Sequence, residues 1–238
     1  VADACKSRNR DSKTSSLHVC VRLRLRYFFM KILLATSNPH KLEEIRAIFS
    51  QCDTNSGQSD AAPIDLVSLD VLEQDIEEPV ENGKTFEANA LIKAEPYATA
   101  TGIITLADDS GLAVDALDGR PGVRSARFAG EEATDNDNVE ALLAALKDTP
   151  EAERSAQFHC VLVYLRHADD PTPIICHGRW PGRILAEPRG QGGFGYDPVF
   201  LVPEHGCSAA ELTREQKGRI SHRGRALASL LDQLRAEL

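Results

Sequence analysis

Met30-Lys31-Ile32-Leu33-Leu34-Ala35-Thr36-Ser37-Asn38-Pro39-His40-Lys41 changes character at its centre. Lys31 to Ala35 has the pattern of a short buried strand, and a polar turn follows. Leu42, Ile45 and Ile48/Phe49 then recur at helical spacing. Asn38 is a favoured N-cap, and Pro39 takes the first helical position, where a missing N–H costs nothing. Strand, turn and helix start therefore follow one another directly. The turn gathers hydroxyls, an amide, free helix-start N–H groups and one lysine around a volume suited to an anion. An ordinary helix cap would use the same residues. G-x-x-x-x-G-K-[ST] is absent, so the turn is not a P-loop.

Working outward, strands and helices keep alternating. Gln51 to Pro63 is rich in Ser, Asn, Asp and Gly and reads as a mobile surface loop before a strand at Ile64 to Leu69. A helix is expected from about Thr85 to Thr101, with Phe86, Ala90, Ala94 and Tyr97 available for packing and Pro96 kinking it or ending it early. The strand Ile103 to Ala107 then runs into Asp108-Asp109-Ser110-Gly111, which places two adjacent carboxylates at a strand end, where α/β folds often do chemistry. Thr134 and Asp137 resemble a capping box ahead of Val139, Leu142, Leu143 and Leu146. Gln157 to Arg166 and Ile174 to Trp180 read as strands, the second bounded by Pro181-Gly182. A last helix from about His222 to Leu238 should bury Leu227, Leu230, Leu231 and Leu234.

Composition narrows the function classes. No apolar run approaches the roughly 20 residues needed to cross a bilayer, which excludes a spanning helix. Six cysteines are scattered without a C-x-x-C pair, so neither a zinc ribbon nor a disulfide framework is indicated and a reducing cytoplasm fits best. Residues 1–29 carry seven Lys/Arg against two Asp and show no periodicity before Val19. They read as an appended leader, either an over-extended start or an Arg-rich transit peptide, although Val19 to Leu25 makes a poor amphipathic helix. The remainder, 30–238, is expected to be one two-lobed domain. Its totals of 20 basic and 34 acidic residues give a formal charge of −14, unsuited to binding nucleic acid.

Three further groups could carry chemistry. Asp108 and Asp109 with Glu81 offer hard oxygen ligands for Mg²⁺, which bridges protein carboxylates to substrate phosphates, and a carboxylate there could take a proton from water. A solvated turn would look the same in sequence. Gly190-Gln191-Gly192-Gly193-Phe194-Gly195-Tyr196-Asp197-Pro198 contains G-x-G-x-x-G, but it lies between prolines and leads into a strand, so the dinucleotide reading fails. It is instead a tight loop presenting Phe194 and Tyr196, either to a base or to the core. Lys217 with Ser221-His222-Arg223 sets cationic donors at a helix start, where the dipole disfavours them.

In this order, Leu34-Ala35-Thr36-Ser37-Asn38 with Lys41, Gly83-Lys84-Thr85-Phe86 with Asn89-Ala90, Ala107 to Leu112, Pro121 to Arg127, Gly192 to Pro198 and Ser221-His222-Arg223-Gly224 resemble the non-canonical purine NTP pyrophosphatase (inosine triphosphatase) family. The resemblance covers about Lys31 to Leu234. It implies an α/β fold with a long, mixed, twisted sheet, helical lobes flanking a central cleft, and a homodimer. Position by position it implies that Thr36, Ser37, Asn38, Pro39, His40, Lys41, Lys93 and Lys217 hold the triphosphate. Glu81, Asp108 and Asp109 would organise Mg²⁺, with Asp109 as general base. Phe194, Asp197, His222 and Arg223 would surround the base, and Ser110, Gly195 and Tyr196 also belong to the substrate-binding set. The chain departs from the pattern at Ser37, where glycine is frequent, at Pro96, and in the long polar loop after Ser50. Its rivals are a Maf-like pyrophosphatase for modified pyrimidine nucleotides and a nucleotide-binding module without turnover.

Overall fold

The computed structural model describes residues 30–55, 64–72 and 76–237; the basic leader and the middle of the polar stretch after Asn55 lie outside the described residues. Seven strands form one sheet: β1 (Met30–Leu34), β2 (Ile64–Ser68), β3 (Ile104–Val114), β4 (Ser155–Leu165), β5 (Ile174–Ile184), β6 (Phe200–Val202) and β7 (Cys207–Ser208). Their order is β2-β1-β3-β4-β5-β6-β7. β1 runs parallel to both β2 and β3, and every later pair is antiparallel, so the sheet is mixed as expected.

The helices are α1 (Pro39–Asn55), α2 (Phe86–Thr101), α3 (Asp135–Ala145), α4 (Arg214–Ile220) and α5 (His222–Ala236). Three starts are capped as their sequences require. Asn38 Oδ1 accepts from the N–H groups of His40 and Lys41. Thr85 Oγ1 accepts from Ala88, and Thr134 with Asp137 forms a reciprocal capping box.

Four expectations are corrected. The loop expected from Gln51 gives way to helix up to Asn55, because an established helix propagates through polar residues until a breaker, and the first glycine beyond Ser50 is Gly57. Pro96 neither ends α2 nor breaks its packing, since Ala94, Tyr97 and Ala98 stay buried against the sheet on both sides of it. Pro181-Gly182 does not close β5. The far edge of that strand has no partner until Arg183 meets Leu201, and a proline is tolerated at such an edge. Gly182 is required there because a Cβ would sit 2.4 Å from the Phe200 ring.

The fourth correction places the site. β3 does not stop at Ala107 but continues through the acid pair to Val114. β1 pairs only with Ile104 to Leu106, whereas β4 stays paired with β3 from Thr105 to Val114. From Ala107 to Gly111 the β1-side edge of β3 has no strand partner among the described residues, before Pro121 to Ser125 covers it, and Asp108 and Asp109, both buried, lie just past the C-terminal end of parallel β1. β3, β4 and β5, each 11 residues and so about 36 Å long, connect two hydrophobic bodies. At one end α1 and α5 cover one face through Ile45, Phe49, Leu227 and Leu230, and α2 covers the other through Ala90, Ala94 and Tyr97. At the other end Leu112, Phe158, Trp180 and Phe200 pack with Val139 and Leu142 of α3. The polar run from Asp108 to Gly111 lies between the two.

Candidate active site

A cleft of about 280 Å³ opens at that junction. Thr36, Ser37, Asn38, Lys41, Lys93, Ser110, Phe194 to Asp197, Lys217, His222, Arg223 and Glu81 all line it, so elements far apart in sequence converge there.

Strand alternation decides what each acid does. Successive residues of a strand face opposite sides. Leu106 belongs to the core under α1 and α5, and Ala107 to the core under α2. Asp108 therefore turns toward α1 and α5. Its Oδ2 lies 3.1 Å from Lys41 Nζ and 3.4 Å from Arg223 Nη2, and it accepts from Ser110 Oγ. Burial alone would raise its pKa, yet Lys41, Arg223 and Lys93 hold it well below the usual carboxylate range. Asp109 turns toward α2. Its Oδ1 accepts from Ser110 N, and its buried Oδ2 has no partner. Burial, reinforced by nearby Glu81, pushes this carboxyl up to about 6 against the pull of Lys41 and Lys93.

This geometry separates the proposed metal trio. Among the described residues no group of three or more His, Cys, Asp or Glu side chains is placed to hold an ion. Asp108 faces the other side, where its Oδ2 meets Lys41 and Arg223 and its Oδ1 is buried without a partner. Glu81, tied to Lys93 Nζ at 2.9 Å, shares its surroundings with Asp109. Mg²⁺ needs only one or two protein carboxylates beside phosphates and waters, so Asp109, with its free Oδ2, and Glu81 suit it as a pair.

The cations are each tied to carboxylates. Lys93, despite Pro96, reaches the Asp108 carbonyl at 2.9 Å, and its pKa is raised although burial opposes this, because Asp108, Glu81 and Asp109 surround it. Lys217 Nζ contacts both Asp197 and Glu44, and Arg223 contacts Glu44, Asp108 and Ser110. Arg223 is 1% exposed, so its terminal nitrogens are turned to protein partners rather than held free for a base; Nε alone is unpartnered. Burial, with Arg223 and Lys217 nearby, pushes the His222 pKa far down, which keeps the imidazole neutral where it stacks on Phe158.

The glycine loop divides its two aromatics. Phe194 lines the cleft, stacked on His40 at 5.3 Å with Lys217 Nζ 5.0 Å from its ring. Tyr196 turns into the core and donates its hydroxyl to the Ser125 carbonyl, so only its edge is left for the cleft. Gly193 has φ +72°, and a Cβ there would meet Asp197 Oδ2 at 2.0 Å. Asp197 meanwhile accepts from Phe194 N, and Asp135 accepts from Gly195 N, which fixes the loop from both sides.

Glu44 was not singled out in the sequence although it joins Lys217 to Arg223. The available signal was its place three residues after Lys41, on the same helix face. Asn89 accepts from Gly83 N and lies beside Asp109, and Ser125 and Arg127 also reach the cleft; all three sat in quoted motifs without a role.

A strand bearing a buried carboxylate pair, a capped helix-start turn and a wall of cations define an α/β protein with a cleft suited to a polyanion. Residues 32–233 match the Ham1 family, and the chain belongs to that family. A dITP/XTP pyrophosphatase of Shigella flexneri is 54% identical over 205 residues, 86% of this chain and 98% of the relative. The enzyme of that name in Escherichia coli K12 is 53% identical over the same span. Among solved structures, a HAM1 protein from Coxiella burnetii superposes with a TM-score of 0.76 at 43% identity, covering 87% of this chain and all of its own. A nucleoside-triphosphatase, dITP/XTP pyrophosphatase, from Mycobacterium abscessus gives 0.66 at 44% identity, covering 86% and 100%.

Proposed function

We propose that this chain hydrolyses non-canonical purine nucleoside triphosphates, those of inosine, deoxyinosine and xanthosine, to the monophosphate and inorganic pyrophosphate. The names of the Shigella, Escherichia and Mycobacterium relatives support the substrate class. The observation that carries the reaction is Asp109, whose unpartnered buried Oδ2 and elevated pKa leave it able to accept a proton near neutrality.

In this reading the triphosphate lies along the Thr36 to Lys41 turn and between Lys93 and Lys217. The helix-start N–H groups and lysines oppose its charge, and Phe194 gives the base a stacking face. Asp109 takes the proton of a water that attacks the α-phosphorus, pyrophosphate leaves, and the preformed cations stabilise the added charge. A 6-oxo purine accepts hydrogen bonds, and Arg223 would serve it as donor only by exchanging one of its present partners, Glu44, Asp108 or Ser110. Adenine presents a donor at that position and would leave the Arg223 donor unpaired.

Mg²⁺ belongs to the proposal, with Asp109 and Glu81 to hold it; when bound it neutralises phosphate charge. The reading also includes a cytoplasmic homodimer without nucleic-acid or membrane partners. The free thiols of Cys160 and Cys176 fit a reducing compartment, and the acidic body opposes nucleic-acid binding. The deciding experiment measures pyrophosphate released from inosine, xanthosine, adenosine and methylated pyrimidine triphosphates with Mg²⁺, side by side. Turnover confined to pyrimidines, or binding without release, would overturn the assignment.

A further inference from the structure

Pro121 to Arg127 contributes nothing to the reaction as described, yet the structure fixes it with unusual care. Ser125 Oγ donates to the Gly122 carbonyl at 2.6 Å and accepts from Leu112 N at 2.8 Å, while the Tyr196 hydroxyl donates to the Ser125 carbonyl. The segment thus sits on β3 immediately after the acid pair. Gly111 makes the approach possible, since a Cβ there would lie 2.5 Å from both the Gly122 carbonyl oxygen and Ser125 Oγ.

This platform carries Arg127 into the cleft beside Glu81. Its charge differs from the others in the wall. Lys41, Lys93, Lys217 and Arg223 each have a carboxylate within 3.1 Å. The nearest carboxylate to Arg127 among the described residues is Glu131, 3.7 Å from Nε and itself 70% exposed. One terminal nitrogen donates to the Glu81 backbone carbonyl, which is uncharged. A guanidinium has five donors in a fork that matches two phosphate oxygens, so most of this one remains available. Its neighbour Glu81 is paired with Lys93, which the proposed function places on the triphosphate.

We propose that Arg127 binds the terminal phosphates of the nucleotide and the pyrophosphate they become, supplying the charge that the pre-paired lysines cannot. The assignment rests on the pyrophosphatase reading for the identity of its ligand but not for its test. Calorimetric titration of the full chain, with Mg²⁺ present, uses inorganic pyrophosphate and inosine monophosphate as separate probes. Arg127→Ala should weaken pyrophosphate by about tenfold or more, as expected for a lost bidentate charged contact, and leave inosine monophosphate nearly unchanged. Arg127→Lys should restore part of the loss, because it keeps the charge without the fork. Unchanged pyrophosphate affinity in both variants would overturn the proposal, as would equal weakening of the two probes, which marks a structural role. If the wild-type chain binds pyrophosphate through Arg127 yet releases none from inosine triphosphate, the functional reading falls and the anion site stands. If it binds no pyrophosphate, the anion site falls, and the functional reading is judged by pyrophosphate release alone.

Discussion

Asp108 and Asp109 are neighbours in the chain with opposite shifts: Lys41 and Arg223 hold Asp108 ionised through its Oδ2, burial raises the Asp109 carboxyl, and each keeps one buried oxygen without a partner, Oδ1 of Asp108 and Oδ2 of Asp109. Their strand sends one carboxylate to each face of the sheet. Cations therefore hold one of them ionised, and burial raises the pKa of the other.

Asp109→Asn should reduce turnover of inosine triphosphate by several orders of magnitude while making the free protein more stable at neutral pH. The Asp109 pKa is 3.8 when unperturbed and about 6 when folded, so the folded state binds the proton more tightly. Stability accordingly falls as pH rises from about 4 to about 6 and stays reduced above that, by roughly 3 kcal/mol. The amide mimics the protonated form and escapes this loss. Thermal melts of both proteins at pH 4 and pH 8, without ligand, should show the variant ahead only at pH 8.

Glu44→Gln should destabilise the fold and depress activity together. Burial would raise the Glu44 pKa, but Arg223 and Lys217 bring it below its ordinary value. Its contribution is therefore present above the unfolded value of 4.5 and lost as pH falls through the lower folded one. Removing one member of a buried ion pair costs on the order of 3 kcal/mol. Chemical denaturation at pH 7 checks the loss; a variant as stable as wild type would show that Arg223 finds enough partners without Glu44.

Phe194→Ala should raise KM for inosine, xanthosine and adenosine triphosphates alike. Stacking contributes about 1–3 kcal/mol per base and does not depend on edge groups. Arg223→Ala should behave differently, lowering the melting temperature because it strips a cation from both Asp108 and Glu44. Steady-state kinetics beside melting curves distinguishes the two. A Phe194 variant that lost only one substrate would contradict the stacking role.

Gly178→Ala should damage the site from a distance. A Cβ at Gly178 would stand 1.9 Å from the His222 carbonyl oxygen and 2.7 Å from Ala226 N, so the start of α5 must move off β5. Backbone has little room to yield, and overpacking of this kind costs about 1–3 kcal/mol or more. The shift carries His222 and Arg223 with it. Reduced kcat/KM together with a lower unfolding midpoint is the expected outcome, and full activity would show that α5 can slide without loss.

The local features were fixed by adjacent residues. Asn38-Pro39 set the start of α1, Thr134 and Asp137 capped α3, and the leucines of α5 chose its buried face, because caps and periodicity act within a turn or two of chain. Motif order also pointed to the Thr36 to Lys41 turn, the acid pair and the glycine loop, which the fold brings to one cleft. What Asp108 does, by contrast, depends on where β1 stops and which face α5 covers. The roles of Glu44 and Arg127 depend on contacts with Arg223, 179 positions away, and with Glu81, 46 positions away. Strand register and helix placement bring such groups together only after the sheet has assembled. A carboxylate whose charge is set by neighbours from three distant segments therefore has no local signature, and only the tertiary structure could separate the acid its cations keep ionised from the acid that burial raises.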